Sequence, residues 1–81
     1  MRVTVRLFAA LRDAAGWEAQ SLDLPDSATV GDARLKVRDE LRSAGALVEI
    51  SAFAVNQRFA RPEHRLREGD ELAVLPPVSG G

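Results

Sequence analysis

Arg2-Val3-Thr4-Val5-Arg6-Leu7-Phe8 alternates without a break, with Val3, Val5 and Leu7 on one side and Arg2, Thr4, Arg6 and Phe8 on the other. A period of two is the repeat of a β-strand, whose successive side chains point to opposite faces, so this stretch predicts a strand with one buried face. Phe8 is the odd member: it stands on the polar side, either covered by the segment that follows or exposed for a partner. Beyond it, Ala9 to Ala15 has helix-forming composition and Gly16 supplies a stop, which predicts a turn or two of helix. Trp17 to Leu24 is a second, weaker strand with Leu22 and Leu24 inward, broken by Pro25-Asp26-Ser27.

The middle of the chain changes period. Thr29 is placed as a helix N-cap, with Asp32 three residues on as a shortened capping box. Val30, Ala33, Val37, Leu41 and Ala44 follow at spacings of three and four, while Arg34, Arg38, Asp39, Glu40 and Arg42 face water. One amphipathic helix ending near Gly45 is expected, with Leu35 off the stripe, on a widened apolar face or in some further contact. After a loop, Phe53-Ala54-Val55 reads as a short strand, Asn56-Gln57 as a hairpin turn lacking the usual glycine, and Arg58-Phe59-Ala60 as the return strand. Arg61-Pro62-Glu63-His64 is irregular, Glu68-Gly69-Asp70 marks a turn, and Glu71 to Leu75 is the last strand, ended by Pro76-Pro77. The order predicts a two-layer α+β domain with the single main helix packed on one sheet face.

Composition narrows the function classes. The chain has 81 residues, 46% of them hydrophobic and 28% charged, as in an ordinary folded domain. Folding at this size buries only about 60% of the unfolded surface, which leaves no room for a large internal pocket. Eleven basic against twelve acidic residues give a net charge of −1, and all the basic residues but Lys36 are arginines spread from Arg2 to Arg67. No basic stripe marks a nucleic-acid surface. No apolar run approaches the roughly 20 residues that span a bilayer, and Met1-Arg2 leads directly into the first strand with no signal peptide, so a cytoplasmic protein is expected. The absence of cysteine excludes thiol nucleophiles, persulfide carriage and thiolate metal sites together.

Little in the chain argues for catalysis. His64 is the only histidine, so a His-based metal site has no partners, and no metal is expected. Ser27, Ser43, Ser51 and Ser79 lack a nucleophile elbow. Gly31-Asp32 opens a helix without the flanking pattern of a phosphate loop, and the acidic residues belong to solvated faces and turns.

The ending, Pro76-Pro77-Val78-Ser79-Gly80-Gly81, is different. Two glycines bury nothing and lose more backbone entropy on ordering than any other pair. They are useful where something narrow must admit them, because without a Cβ the last residues pass a slot too tight for side chains. The alternative is a frayed terminus that happens to end in glycine. Residues 76–81 are the one candidate flexible tail on a domain of residues 1–75. Phe8, Phe59 and Leu75 all fall on outward strand positions near the tail exit, where they make an interaction patch unless loop or helix-turn residues cover them.

Four stretches then carry a likeness: Val5-Arg6-Leu7-Phe8-Ala9-Ala10-Leu11-Arg12, Ala54-Val55-Asn56-Gln57, Leu66-Arg67-Glu68-Gly69-Asp70-Glu71-Leu72 and Pro76-Pro77-Val78-Ser79-Gly80-Gly81. In this order they resemble the small subunit of molybdopterin synthase, of the ThiS/MoaD sulfur-carrier family. The resemblance implies a β-grasp, ubiquitin-like fold: a mixed sheet whose first and last strands run parallel at the centre, with one main helix. It implies a subunit that is not catalytic alone and binds no cofactor. An E1-like adenylating enzyme would consume ATP to form a glycyl-adenylate on Gly81, and a sulfur donor such as a cysteine desulfurase or rhodanese would lead to a thiocarboxylate there. That group would give its sulfur to precursor Z, the cyclic pyranopterin monophosphate, within a heterotetrameric synthase. An α-carboxylate is ionised and a poor electrophile at neutral pH, so activation before sulfur transfer is chemically required.

Carried over by position, Gly81 is the reactive residue. Gly80, Ser79, Val78, Pro77 and Pro76 form the passage into the large synthase subunit, and Phe8, Phe59 and Leu75 form the partner interface. Leu75 departs from the aromatic residue the family would place there. Six extended residues reach roughly 20 Å, and Pro76-Pro77 gives the arm a stiff start. Neither nucleic acid nor membrane is an expected partner. Three other readings remain open: a β-grasp carrier for thiamin, cysteine or tRNA thiolation, a ubiquitin-like modifier joined to lysines through Gly81, and an interaction module whose terminus is incidental.

Overall fold

The computed structural model describes residues 1–77, so Val78, Ser79, Gly80 and Gly81 lie outside the described residues. In chain order the elements are β1 (Arg2–Leu7), α1 (Ala9–Ala15), β2 (Ala19–Asp23), α2 (Val30–Leu41), α3 (Gly45–Glu49), β3 (Ala52–Val55), β4 (Arg58–Phe59) and β5 (Glu71–Leu75), with a 3-10 turn at Arg42–Ala44 between α2 and α3. The strands make one sheet in the order β2-β1-β5-β3-β4. β1 and β5 are parallel, in register from Thr4 opposite Glu71 to Leu7 opposite Val74, and every other pair is antiparallel. This is the β-grasp arrangement, with the first and last strands side by side at the sheet centre.

The alternation of β1 decides which face is buried. Val3, Val5 and Leu7 lie on the core face, as do Leu22 of β2, Phe53 and Val55 of β3, and Leu72 and Val74 of β5. Val30, Ala33 and Val37 of α2, with Leu11 of α1, Val48 of α3 and Leu66, close the other side of the same cluster. The described residues contain no buried polar or charged residue, so removal of apolar surface from water holds the layers together.

The start of α2 follows the sequence closely. Asp32 N donates to Thr29 Oγ1 at 3.2 Å and Thr29 N donates to Asp32 Oδ2 at 2.9 Å, a reciprocal capping box. The amides of Val30 and Gly31 donate to the carbonyls of His64 and Pro62, both at 2.9 Å. All the exposed donors of the first turn therefore have acceptors, and the loop that supplies two of them is fastened to the helix. The same fastening explains Gly31: a Cβ there would stand 3.3 Å from the Pro62 carbonyl oxygen.

The end of the helix differs from the sequence expectation. Gly45 does not stop α2; the chain leaves the helix at Arg42, with φ 45° and ψ −97°, and Gly45 begins α3 in right-handed helical geometry. Its small size serves a close approach, since a Cβ on Gly45 would meet Arg38 Cγ at 3.1 Å. Arg38 Nη1 donates to Glu49 Oε1 at 3.0 Å and ties the returning segment to α2. The expected loop before β3 is thus partly helical, and Leu41 and Ala44 are only partly buried. Leu35 is 46% exposed and lies outside the core cluster. β2 is shorter than Trp17 to Leu24, and Ala60 falls outside β4.

The weak hairpin signal nonetheless marks a tight turn. Asn56 and Gln57 have φ of 50° and 71°, the left-handed geometry of a two-residue turn, between Val55 and Arg58 in direct register. Asn56 supports it with its side chain: Nδ2 donates to Asp70 Oδ1 and Oδ1 accepts from the Glu71 amide, each at 2.9 Å. This joins the β3–β4 turn to the start of β5.

Two substitutions test these assignments. Thr29→Ala removes one half of the capping box and is expected to lower unfolding free energy by about 1 kcal/mol. Leu72→Ala, at a fully buried position of the central strand, is expected to cost about 3 kcal/mol. Urea unfolding followed by circular dichroism measures both, and equal small losses would contradict the placement of Leu72 in the core.

Candidate functional site

The outer face of the sheet, away from α2, is assembled by register. Arg6 lies opposite Ala73, Ala73 opposite Ala54, and Ala54 opposite Phe59, so one row crosses from β1 to β4 on a single face. Two residues further along, Leu75 lies opposite Ala52. Phe8 follows β1 directly in extended geometry, φ −132° and ψ 155°, and the parallel register continued by one residue sets it beside Leu75. The three residues predicted as a patch therefore share one face. Phe8 is 38% exposed and Phe59 81%, while Leu75 is partly buried. On standard strand spacings Phe59 stands roughly 12 Å from Leu75, two strands and two residues away.

Phe8 keeps part of its surface exposed because α1 turns away from it. The Phe8 carbonyl accepts from Leu11 N at 3.1 Å and Arg12 N at 3.4 Å, which starts the helix and sends Leu11 to the core side. Between Phe8 and Phe59 the register places Ala52, Ala54 and Ala73; Ala54 and Ala73 are buried beneath their neighbours and Ala52 is exposed. The Arg6 Nε to Glu71 Oε2 ion pair, 3.1 Å, borders these alanines on the side away from Leu75. The sequence reading missed the alanines; the available signal was alanine at alternate outward positions of β3 and β5. It also missed Ile50, 67% exposed, which precedes β3 at the sheet end where β5 finishes.

The parallel pairing of β1 and β5 puts their C-terminal ends together. The chain accordingly leaves β5 at Leu75 beside Phe8, with Pro76 partly buried and Pro77 exposed, and neither in the sheet. Pro76 and Pro77 stand at the exit as the sequence suggests. Val78, Ser79 and Gly80, expected from the sequence to continue the passage, and Gly81, expected to be the reactive residue, are outside the described residues.

Arg2 Nε donates to Asp23 Oδ1 at 3.0 Å across β1 and β2, at the sheet end opposite Phe8. That hydrogen bond, with the attraction of the paired charges, holds the Asp23 carboxyl below its ordinary range and the Arg2 guanidinium above its own. The lowered carboxyl means that the pair's contribution to stability is present at neutral pH and fades as pH falls through the Asp23 titration. Both side chains are open to solvent, so the effect is small. Among the described residues, no three or more His, Cys, Asp or Glu side chains stand close enough to hold a metal ion, and no helix is long and apolar enough to cross a membrane. His64 is exposed on the loop fastened to α2.

The likeness noted in the sequence extends to known proteins. The ThiS family matches residues 5–81. The chain is 34% identical over 83 residues to the molybdopterin synthase sulfur carrier subunit of Chlamydomonas reinhardtii, covering 100% of both chains. Its fold is similar to the crystal structure of SAMP1 from Haloferax volcanii, with a TM-score of 0.86, 31% identity and 100% of each chain covered. It is also similar to a chain of the Amycolatopsis orientalis BexX/CysO complex, with a TM-score of 0.60, 26% identity, and 98% of this chain and 99% of that one covered. An extended apolar sheet face, a central-strand exit and a match through the final diglycine thus converge: this chain belongs to the ThiS family of ubiquitin-like β-grasp proteins.

Proposed function

We propose that this chain is the sulfur-carrier small subunit of a molybdopterin synthase, with Gly81 as the residue that carries sulfur. The observation that carries the reading is the exit of β5 beside Phe8, at the edge of an apolar face that also bears Leu75 and Phe59. A carrier of this kind needs a surface for partners to grip and an arm that leaves from that surface. The full-length similarity to a molybdopterin synthase sulfur carrier subunit supports this reading over the other sulfur pathways.

The proposed chemistry runs through the terminal carboxyl group. In the first step a Gly81 carboxylate oxygen attacks the α-phosphorus of ATP on a separate adenylating enzyme, and pyrophosphate leaves. In the second, the terminal sulfur of a donor persulfide, on a desulfurase or rhodanese, attacks the acyl carbon and AMP leaves, giving an acyl disulfide. A second thiolate then attacks the donor's own sulfur, the S–S bond breaks, and the thiocarboxylate leaves as the donor and that thiol form a disulfide. The large synthase subunit would admit Gly80 and Gly81 to its site, where the thiocarboxylate supplies sulfur to precursor Z. With no cysteine in the chain, no thiol competes for the sulfur. Phe8 and Leu75 contribute by docking, which converts delivery of the terminus into an intramolecular event.

The second reading is a ubiquitin-like modifier, favoured by the structural similarity to SAMP1, a small archaeal modifier protein by the name of its relative. It uses the same activated Gly81 acyl group but transfers it to a lysine amine. The two products differ in mass and in attachment.

Intact mass of the protein purified from its own host, or after incubation with ATP, the adenylating enzyme and a sulfur donor, is expected to rise by the difference between sulfur and oxygen, located on the C-terminal peptide. Loss of this species in a chain lacking Gly81 completes the assignment; lysine-linked conjugates without the thiocarboxylate would favour the modifier reading. For the face, Phe8→Arg and Phe59→Arg are each expected to abolish association with the large subunit. Phe59 is 81% exposed, so its substitution should change stability by no more than about 0.5 kcal/mol, while Phe8, 38% exposed, should lose somewhat more and still leave the domain folded. Calorimetric titration and circular dichroism on the same samples measure the two, and unimpaired binding would remove these residues from the interface.

A further inference from the structure

Phe59 stands between two hollows that share a feature the sulfur chemistry does not use. On one side is a surface hollow of about 620 Å³ with Arg58, Arg65 and Arg67 in its wall. On the other is an apolar groove of about 160 Å³ between α2 and β3, lined by Val30, Phe53 and Pro62 together with Arg34. From Arg58 to Arg67 the chain carries four arginines against a single acidic residue, Glu63, although the whole chain is slightly acidic. Among the described residues, ion pairs engage Arg2, Arg6, Arg12 and Arg38, and none engages Arg58, Arg61, Arg65 or Arg67. The one carboxylate in the larger hollow, Asp70, is committed to the fold, since its oxygens accept from Asn56 Nδ2 and the Arg67 amide.

Arg34 supplies the second observation. Its Nε is buried and has no hydrogen-bond acceptor among the described residues. A buried donor without an acceptor carries a desolvation cost, and the guanidinium that bears it lines the groove, where a carboxylate can pair with it. The backbone bearing the other arginines is already fixed: Ala60 N donates to Phe53 O, Leu66 N to Ala28 O, and the His64 carbonyl accepts from Val30 N, each at 2.9 Å. Little ordering of the main chain would accompany binding there.

We propose that the Phe59 edge is a docking site for an acidic segment of a protein partner, whose carboxylates pair with Arg58, Arg65 and Arg67, and with Arg34 in the adjoining groove, while its apolar residues cover Phe59. The charge of the rim selects carboxylates, and guanidinium forks pair with them bidentately. A polypeptide fits better than nucleic acid because its apolar side chains can cover Phe59, 81% exposed between the two hollows, which a phosphate backbone would leave in water. The proposal rests on the reading that the outer face binds the large synthase subunit, and adds the chemistry of what the partner presents at this edge.

The test is binding of the full chain to the large subunit from its own host across a range of salt concentrations. Wild type is expected to weaken as salt rises, and Arg65→Glu/Arg67→Glu to bind at least roughly tenfold more weakly at low salt and to converge with wild type at high salt. Arg34→Met should also weaken binding without loss of thermal stability, which a purely structural role for Arg34 would not produce. The Phe59→Arg variant separates the two ideas: if it abolishes binding while the arginine variants bind as wild type at every salt concentration, the acidic-segment proposal fails and the docking face stands. If the wild-type chain does not bind the large subunit, both fail together. Loss of binding to a labelled poly-uridine strand, or of self-association by analytical ultracentrifugation, with large-subunit binding unchanged in Arg65→Glu/Arg67→Glu, would assign the edge to nucleic acid or to a second copy and overturn the proposal.

Discussion

The parallel ladder between β1 and β5 is the constraint on which the rest of the molecule depends. Parallel strands cannot be joined by a tight turn, so everything from α1 to β4 is in effect one long crossover between them. The ladder is started by contacts that hold the segment before β5 to the first residues of the chain: Gly69 N donates to Arg2 O and Thr4 N to Asp70 O, each at 2.9 Å. Gly69, at φ 85°, makes the bend that allows this. Asp70 and Asn56 then tie the β3–β4 hairpin to the same corner, so three distant segments meet where β5 begins.

Pairing the two strands in parallel has a directional consequence. It sends the chain out of the sheet at its centre, beside the end of β1, instead of at an edge. The exit therefore adjoins the broadest part of the outer face, and Phe8 and Leu75 are brought to it by register alone. An antiparallel last strand would have carried the chain out at the opposite end, beside Arg2 and Asp23, where the surface is charged. In the function proposed above, recognition is thereby separated from chemistry: the folded domain offers a surface, and the reacting atoms belong to the tail.

The two sheet faces divide their residues by size as well as by polarity. The core face takes valine and leucine, which fill the space under α2. The outer face alternates alanine with a few large apolar side chains and arginines, a composition that forms no core and leaves Phe59 in water. The loop from Arg61 to Arg65 supports both layers, since its carbonyls complete the first turn of α2 while its arginines rim the outer edge. Gly31 is small because that loop passes so near, and Gly45 is small because α3 folds back on Arg38. Both are glycines of close approach, and neither is in a left-handed conformation.

The sequence by itself determined the strands β1 and β5, the helix start at Thr29, the helix between Ala9 and Gly16, and the outward direction of Phe8, Phe59 and Leu75. These rest on period two, period 3.6 or a local cap, which are properties of residues a few positions apart. Family likeness supplied the parallel pairing of β1 with β5, which no local pattern contains. Gly45 misled because a glycine that ends a helix and one that admits a neighbouring backbone are identical in sequence. The tertiary structure alone decided that Phe8 and Leu75 are neighbours, that alanines lie between them and Phe59, and that Arg58, Arg65 and Arg67, none of them in an ion pair among the described residues, line one hollow. Those are relations between residues up to about seventy positions apart, set by sheet register and by burial, and they exist only once the first strand has found the last.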